Sequence, residues 1–186
     1  MNRLPREFAS DQTVFTGRIV SVHKVQLRTD NGELIDRELI HYPGAAVVLP
    51  VLPDGSIVFI RQYRFAINKT IYELPAGTLD HGEDPAVCAA RELTEETGYT
   101  ATSIRPLGGC YTAPGTSDEY IFCYLASDLS AGSQALEQHE EIDVEIVEDA
   151  QARRMVLDGT ICDAKTVAAL ALYWLGQGVR AEGPGL

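Results

Sequence analysis

The chain has 186 residues, of which 45% are hydrophobic and 23% are charged, a balance that excludes a disordered chain, a collagen-like chain and a pure coiled coil. It carries 15 lysines and arginines against 27 aspartates and glutamates, and the net charge of −12 argues against nucleic acid and anionic membranes as partners. The N-terminus has no signal-peptide core, and the longest apolar runs are too short to span a bilayer, so we expect a soluble, cytoplasmic protein.

The N-terminal part of the chain is predicted to form strands. Val14–Leu27 is rich in β-branched residues, and Leu34–His41 follows the turn signal Asp30-Asn31-Gly32. Pro43-Gly44 then interrupts the pattern. We therefore predict an N-terminal β extension at residues 1–43, a main domain at residues 44–178 and a short tail at residues 179–186.

The main domain is predicted to mix strands and helices, an α+β arrangement. Ala45–Leu52 is a nearly continuous apolar run, the pattern of a strand buried on both faces. A first helix is expected to begin at Asp84-Pro85 and to end at Gly98, because aspartate suits an N-cap and glycine a left-handed C-cap. Further strands are predicted at Ser56–Gln62, Ile71–Leu74, Ile104–Tyr111, Glu119–Leu125 and Asp143–Val147, and helices at Asp149–Leu157 and Asp163–Leu175.

The four cysteines are predicted to be reduced and mostly buried. They form no CxxC pair, so a zinc site is not expected from their spacing. Without a secretion signal, small buried hydrophobes are the simpler interpretation.

The residues with the clearest chemistry are the carboxylates of the predicted first helix. Glu92, Glu95 and Glu96 share one face, and Glu83 lies just before the helix. A solvated acidic face is the plain alternative. Converging carboxylates, however, form a cage of hard oxygen ligands that suits Mg²⁺, with Mn²⁺ as a second choice. Arg91 is placed to orient or neutralise them.

The segment Gly77–Tyr99 is similar to the Nudix box, G-x5-E-x7-R-E-U-x-E-E-x-G-U, where U is a bulky apolar residue. Every specified position matches, and Tyr99 is the loosest match because an aliphatic residue is commoner there. The resemblance implies an α/β/α sandwich, here with an N-terminal antiparallel strand extension. It also implies hydrolysis of a nucleoside diphosphate linked to another group.

The resemblance further implies which residues hold the divalent metal. Glu92 and Glu96 would be the chief ligands, with Glu95 assisting in binding and catalysis and Arg91 supporting catalysis. The backbone carbonyl just before the box glycine, that of Ala76, is also expected to bind metal.

Outside the box, the chain resembles the ADP-ribose pyrophosphatase branch of this family. Tyr111–Glu119 looks like its proline-bearing loop, Arg61–Arg64 like its strand end, and Gly159–Thr166 like the start of its last helix. Ordinary turns and solvated strand ends are the plain alternatives for these segments.

Four residues are candidates for contact with the substrate. Arg64 and, less directly, Arg61 could form bidentate bonds with diphosphate oxygens in a protein with few cations. Arg37 could contact the nucleobase or phosphate, and Glu119 could bond a ribose hydroxyl.

The general base is expected on a loop outside the box, because a metal-bound carboxylate is a poor proton acceptor. ADP-ribose pyrophosphatases carry a catalytic glutamate on such a loop, and Glu140 matches best. Glu141 stays open, while His139 is expected to be solvated.

These observations predict a Mg²⁺-dependent enzyme that cleaves ADP-ribose to AMP and ribose 5-phosphate. The alternatives are a nucleotide-sugar diphosphatase and a non-catalytic nucleotide-binding module of the same fold. The resemblance also favours a homodimer in which strands at about residues 14–41 pack against the partner and Arg37 reaches the neighbour's substrate.

Overall fold

The computed structural model describes residues 8–136, 138 and 140–181, with side chains up to residue 177. The described chain groups into two compact units. The first contains residues up to Gly44 together with Tyr111–Tyr120, and the second contains Ala45–Cys110 and the described residues from Ile121 onward. The first unit thus includes the predicted N-terminal extension and, in addition, the proline-bearing loop.

The first unit is built on an antiparallel sheet of β1 (Phe8–Thr16), β2 (Ser21–Arg28) and β3 (Leu34–His41), in that order. Gly32 adopts φ 87° in the turn between β2 and β3, where a left-handed backbone requires it. The predicted continuous segment Val14–Leu27 is divided by a turn in which Gly17 N–H donates to the Val20 carbonyl at 2.8 Å. The β-branched residues on both sides of Gly17 conceal this turn in the sequence.

A polar network crosses this sheet. His23 bonds to Asp11 through Nδ1 at 2.6 Å and to the Ser21 hydroxyl through Nε2 at 2.9 Å. His41 bonds to Asp118 of the proline-bearing loop, and its ring meets that of His23 edge to face at 4.5 Å. The network therefore connects all three strands and the loop within the first unit.

The second unit contains two sheets and three helices. Its strands are β4 (Ala45–Pro50), β5 (Ile57–Arg64), β6 (Lys69–Glu73), β7 (Ala76–Thr78), β8 (Thr100–Tyr111), β9 (Tyr120–Ser130) and β10 (Ile142–Val147). The last residue of β8 and the first residue of β9 belong to the loop assigned to the first unit. The helices of the second unit are α1 (Pro85–Thr97), α2 (Asp149–Leu157) and α3 (Ala164–Ala181). One sheet has the order β10-β5-β6 and the other has the order β7-β4-β9-β8.

Strand β4 lies between two layers of helices. Ala46, Val47, Val48 and Leu49 are all 0% exposed, so the predicted two-faced burial is confirmed. Because side chains alternate along a strand, Val47 and Leu49 pack in a cluster with α2 and α3 residues, and Ala46 and Val48 pack with α1 residues. This is the α/β/α sandwich expected from the sequence.

Helix α1 has the predicted ends. The Asp84 side chain accepts from Ala86 N–H at 2.7 Å at the N-cap, and Gly98 adopts φ 76° at the C-cap. Helix α3 continues to Ala181, into the predicted tail, and residues 182–186 lie outside the described residues. The sequence predicts a corner at Pro75-Ala76-Gly77, whereas the structure has the short strand β7 directly after Pro75. This strand forms because its residues pair with the edge of the buried strand β4.

All four cysteines are free. Cys88 and Cys123 are buried, Cys110 is partly buried and Cys162 is exposed. Within the described part of the chain, no helix has the length and apolar character needed to cross a membrane.

Candidate active site

The site is built on the acidic face of α1. Glu92 and Glu96 are 9% and 3% exposed, whereas the Glu95 side chain is 38% exposed. The three glutamates thus differ in burial although they share a helix face, and the two predicted chief metal ligands are the buried ones.

Strand β7 approaches this face so closely that, while Glu92 keeps its position, only glycine fits at position 77. A Cβ atom there would lie 1.7 Å from Oε1 and 2.1 Å from Cδ of Glu92. One residue earlier, Ala76 N–H donates to Glu96 Oε2 at 2.9 Å. The backbone of β7 and the two buried carboxylates therefore form one continuous surface, on which the Ala76 carbonyl is the predicted additional ligand.

Arg91 is shared among three of the four box glutamates. It donates to Glu83 at 3.1 and 3.2 Å, to Glu92 at 2.6 Å and to Glu95 at 3.0 Å. These partners raise the pKa of Arg91, and Arg91 in turn holds the pKa of Glu83 below its usual range. Arg91 therefore compensates part of the negative charge that the box concentrates at this face.

Burial raises the pKa of Glu96 to about 8, although the Ala76 N–H acts in the opposite direction. Burial also raises the pKa of Glu92, against the effect of Arg91. Both buried carboxyl groups therefore favour an additional cation, and their hard oxygen atoms suit a divalent one. By donor chemistry the residues present fit Mg²⁺ or Mn²⁺.

A separate group of potential metal-ligating atoms lies in the first unit. In the described part of the chain, Asp11, His23 and His41 each place one potential ligand atom within 4.8 Å of the other two. Hydrogen bonds already account for that cluster, because both His23 nitrogens have partners there.

Glu140 lies near the box. Its charge raises the pKa values of Glu92 and Glu96. It also borders a cavity of about 420 Å³, together with Arg61 and the exposed Glu141. The predicted base and its alternative thus face the same cavity, whereas the predicted solvated His139 lies outside the described residues.

The two arginines at the end of β5 have different surroundings. Arg64 bonds to the buried Glu73 through Nε and Nη2, each at 2.7 Å, and the charge of Glu96 acts on it as well. Arg61 bonds to Glu145 at 3.4 Å and lies over the Tyr72 ring. Arg64 is therefore the one of the two that lies beside the buried box carboxylate.

Arg37 and Glu119 belong to the first unit. Arg37 is exposed on strand β3 and donates to the Asp36 carbonyl at 2.7 Å. Glu119 accepts from the Thr112 hydroxyl at 2.6 Å, within the proline-bearing loop. Their contacts with substrate stay predictions.

Glu73 and its second cation, Lys165, are site residues that were not predicted from the sequence. Glu73 is 1% exposed and accepts from the Lys165 ammonium group as well as from Arg64. The available signal was an acidic residue between the apolar Tyr72 and Leu74, since a buried carboxylate requires a positively charged partner.

Comparisons with known proteins place these features in a family. The NUDIX domain model matches residues 41–170. The ADP-ribose pyrophosphatase of Bacillus subtilis is 34% identical over 98% of this chain and 100% of its own length, and that of Mycobacterium tuberculosis is 36% identical over 96% and 88%. A GDP-mannose pyrophosphatase from Cronobacter sakazakii is 37% identical over 68% of this chain and 71% of its own.

A solved structure described as an ADP compounds hydrolase agrees in fold. Its TM-score is 0.82, each chain is covered in full, and the two sequences are 23% identical. Fold, box and sequence similarity agree, and the chain belongs to the Nudix family of hydrolases.

Proposed function

We propose that this enzyme hydrolyses the pyrophosphate bond of ADP-ribose to AMP and ribose 5-phosphate. The observation that carries the proposal is the similarity, over nearly the full length of the chain, to ADP-ribose pyrophosphatases from two organisms. The box is intact at its glutamates and its arginine, which argues against a non-catalytic binding module.

The cofactor we propose is Mg²⁺, with Mn²⁺ as the alternative. Glu92 and Glu96 would hold it with the Ala76 carbonyl, and Glu95 would assist. When bound, the ion neutralises charge on the diphosphate and lowers the pKa of a coordinated water.

The remaining steps fall to side chains of this chain. Arg64 binds the diphosphate oxygens, and Glu140 accepts the proton of the attacking water. The new P–O bond forms as the bond to the bridging oxygen breaks, and the leaving phosphate takes that electron pair. Arg91 keeps the box carboxylates oriented through its hydrogen bonds to Glu83, Glu92 and Glu95.

A second candidate is a nucleotide-sugar diphosphatase. The GDP-mannose pyrophosphatase among the similar proteins favours it, although its alignment covers less of this chain. The same box chemistry would serve that substrate, and the groups around the sugar and base would differ.

One experiment separates the candidates. The purified protein is incubated with Mg²⁺ and, separately, with ADP-ribose, UDP-glucose, GDP-mannose, dinucleoside polyphosphates and oxidised dNTPs, and the products are identified by mass. We expect the highest kcat/KM for ADP-ribose, with AMP and ribose 5-phosphate in equal amounts. A clear preference for GDP-mannose or UDP-glucose would replace the first candidate with the second.

We further propose that the enzyme acts in the cytoplasm as a homodimer, with the strands of the N-terminal extension packed against the partner. Strand β1 is exposed along its whole length, including Phe8, Val14 and Phe15. An isolated sheet with exposed apolar residues gains stability by covering them.

A further inference from the structure

An ionic network in the second unit surrounds a carboxylate that the proposed reaction does not use. The Glu73 side chain is 1% exposed and accepts two hydrogen bonds from Arg64 at 2.7 Å each. Lys165 also donates to Glu73 and bonds to Asp163 at 3.0 Å. Two cations therefore hold one buried carboxylate.

The network leaves one side of Arg64 open. Both bonds to Glu73 use Nε and Nη2, so the Nη1 group of the planar guanidinium is directed away from Glu73. The Arg64 side chain is 40% exposed, in contrast to its buried partner. The charge of Glu96 also acts on Arg64, so this arginine lies near the buried part of the box.

The partners of Glu73 are strong enough to keep it ionised. Burial by itself raises the pKa of this carboxyl group, but Arg64 and Lys165 outweigh burial and hold its pKa below the usual range. An ionised carboxylate with two short bonds fixes both the direction and the rotamer of the arginine. Arg64 therefore has less side-chain entropy to lose when it binds an anion.

The start of α3 supports this arrangement from the other side. Asp163 accepts from Thr166 N–H at 3.0 Å in the manner of an N-cap, and it also accepts from the Thr166 hydroxyl at 2.6 Å. The same hydroxyl oxygen accepts from Leu74 N–H, the backbone group next to Glu73, at 2.9 Å. Lys165 is thus held beside Glu73 by a rigid helix terminus.

We propose that Glu73, supported by Lys165, is a positioning residue that presents Arg64 to the diphosphate oxygens of the substrate. The inference rests on the proposed function only in that Arg64 binds the diphosphate. It also gives a role to the segment Gly159–Thr166, whose Lys165 completes the support.

A double-mutant cycle tests this role against a purely structural one. The variants are Arg64→Met, Glu73→Gln and the double substitution, assayed with Mg²⁺ on whichever substrate of the panel the wild-type protein hydrolyses best. We expect each single variant to lower kcat/KM by about tenfold or more, mainly through KM, because a charge-assisted hydrogen bond is lost or misdirected. The double variant is expected to be no worse than Arg64→Met alone.

Two further variants keep the test decisive. Lys165→Met is expected to raise KM less than Glu73→Gln does. Its effect on KM should likewise appear only when Arg64 is present. Lys165→Met can therefore take the place of Glu73→Gln in the cycle if Glu73→Gln does not fold. The matched control is Arg153→Met, which breaks a 2.7 Å ion pair with Asp149 on α2. The control is expected to leave KM unchanged.

Three results would overturn the inference. The first is a loss of kcat/KM in the double variant that equals the product of the two single losses. The second is a lower melting temperature of Glu73→Gln without a change in KM. The third is an unchanged KM in Arg64→Met. None of these results affects the substrate assignment, which fails separately if the wild-type protein does not release AMP from ADP-ribose.

Discussion

Replacing Gly77 by alanine tests the closest contact in the candidate site. The added methyl carbon would lie 1.7 Å from Oε1 of Glu92, whereas ordinary contacts begin at 3.4 Å, so the carboxylate must move by more than about 1.5 Å. The atoms in the way belong to the outer part of a glutamate side chain, which can turn aside. The fold should therefore persist while the proposed metal ligand is displaced.

The expected cost is large for activity and small for stability. Misplacement of a catalytic group by about 1 Å can lower the rate roughly 100-fold, equivalent to about 2.7 kcal/mol in the barrier. Strain from the added methyl group should cost about 1–3 kcal/mol of unfolding free energy at most. We expect kcat to fall at least about 100-fold and the Mg²⁺ concentration for half-maximal activity to rise.

The assay measures AMP release from ADP-ribose across a Mg²⁺ titration, beside a thermal melt of each protein. Gly176→Ala in α3 is the matched control, because nothing lies within 4 Å of its added Cβ atom. That control should keep full activity and gain up to about 1 kcal/mol in stability from helix propensity. A folded Gly77→Ala protein with wild-type turnover and Mg²⁺ dependence would refute the contact argument.

Glu92→Gln and Glu96→Gln are each expected to lower kcat about 100-fold or more without unfolding the protein, as checked by turnover and circular dichroism; near-normal turnover in both would contradict the metal assignment. Glu140→Gln should reduce kcat far more than it raises KM. A large loss of kcat in Glu141→Gln, without one in Glu140→Gln, would assign the general base to Glu141. Light scattering should give twice the monomer mass of 20.3 kDa at micromolar concentration, and a fully active monomer would exclude a shared site.

The parts of the fold that the sequence predicted are those with a local cause. Helix α1 could be delimited because its N-cap Asp84 and its C-cap Gly98 act within a turn of the helix ends. Strand β4 was recognised because burial on both faces leaves an unbroken apolar run. The box itself is a short segment in which spacing determines which side chains share a face.

The parts that escaped prediction depend on distant partners. Lys165 is separated from Glu73 by 92 positions, so no local pattern connects them. The turn after Gly17 has few of the usual turn residues, and only the pairing of β1 with β2 defines it. The short strand β7 likewise exists because β4 offers it an edge.

The position of β4 determines what amide hydrogen exchange in this strand measures. Its backbone pairs with β7 on one edge and with β9 on the other, and helices cover both faces. Amide protons in such a strand exchange with solvent only when the whole unit opens, whereas those of the exposed β1 edge exchange through local fraying. Deuterium uptake at Val47–Leu49 therefore reports the global unfolding free energy of the second unit.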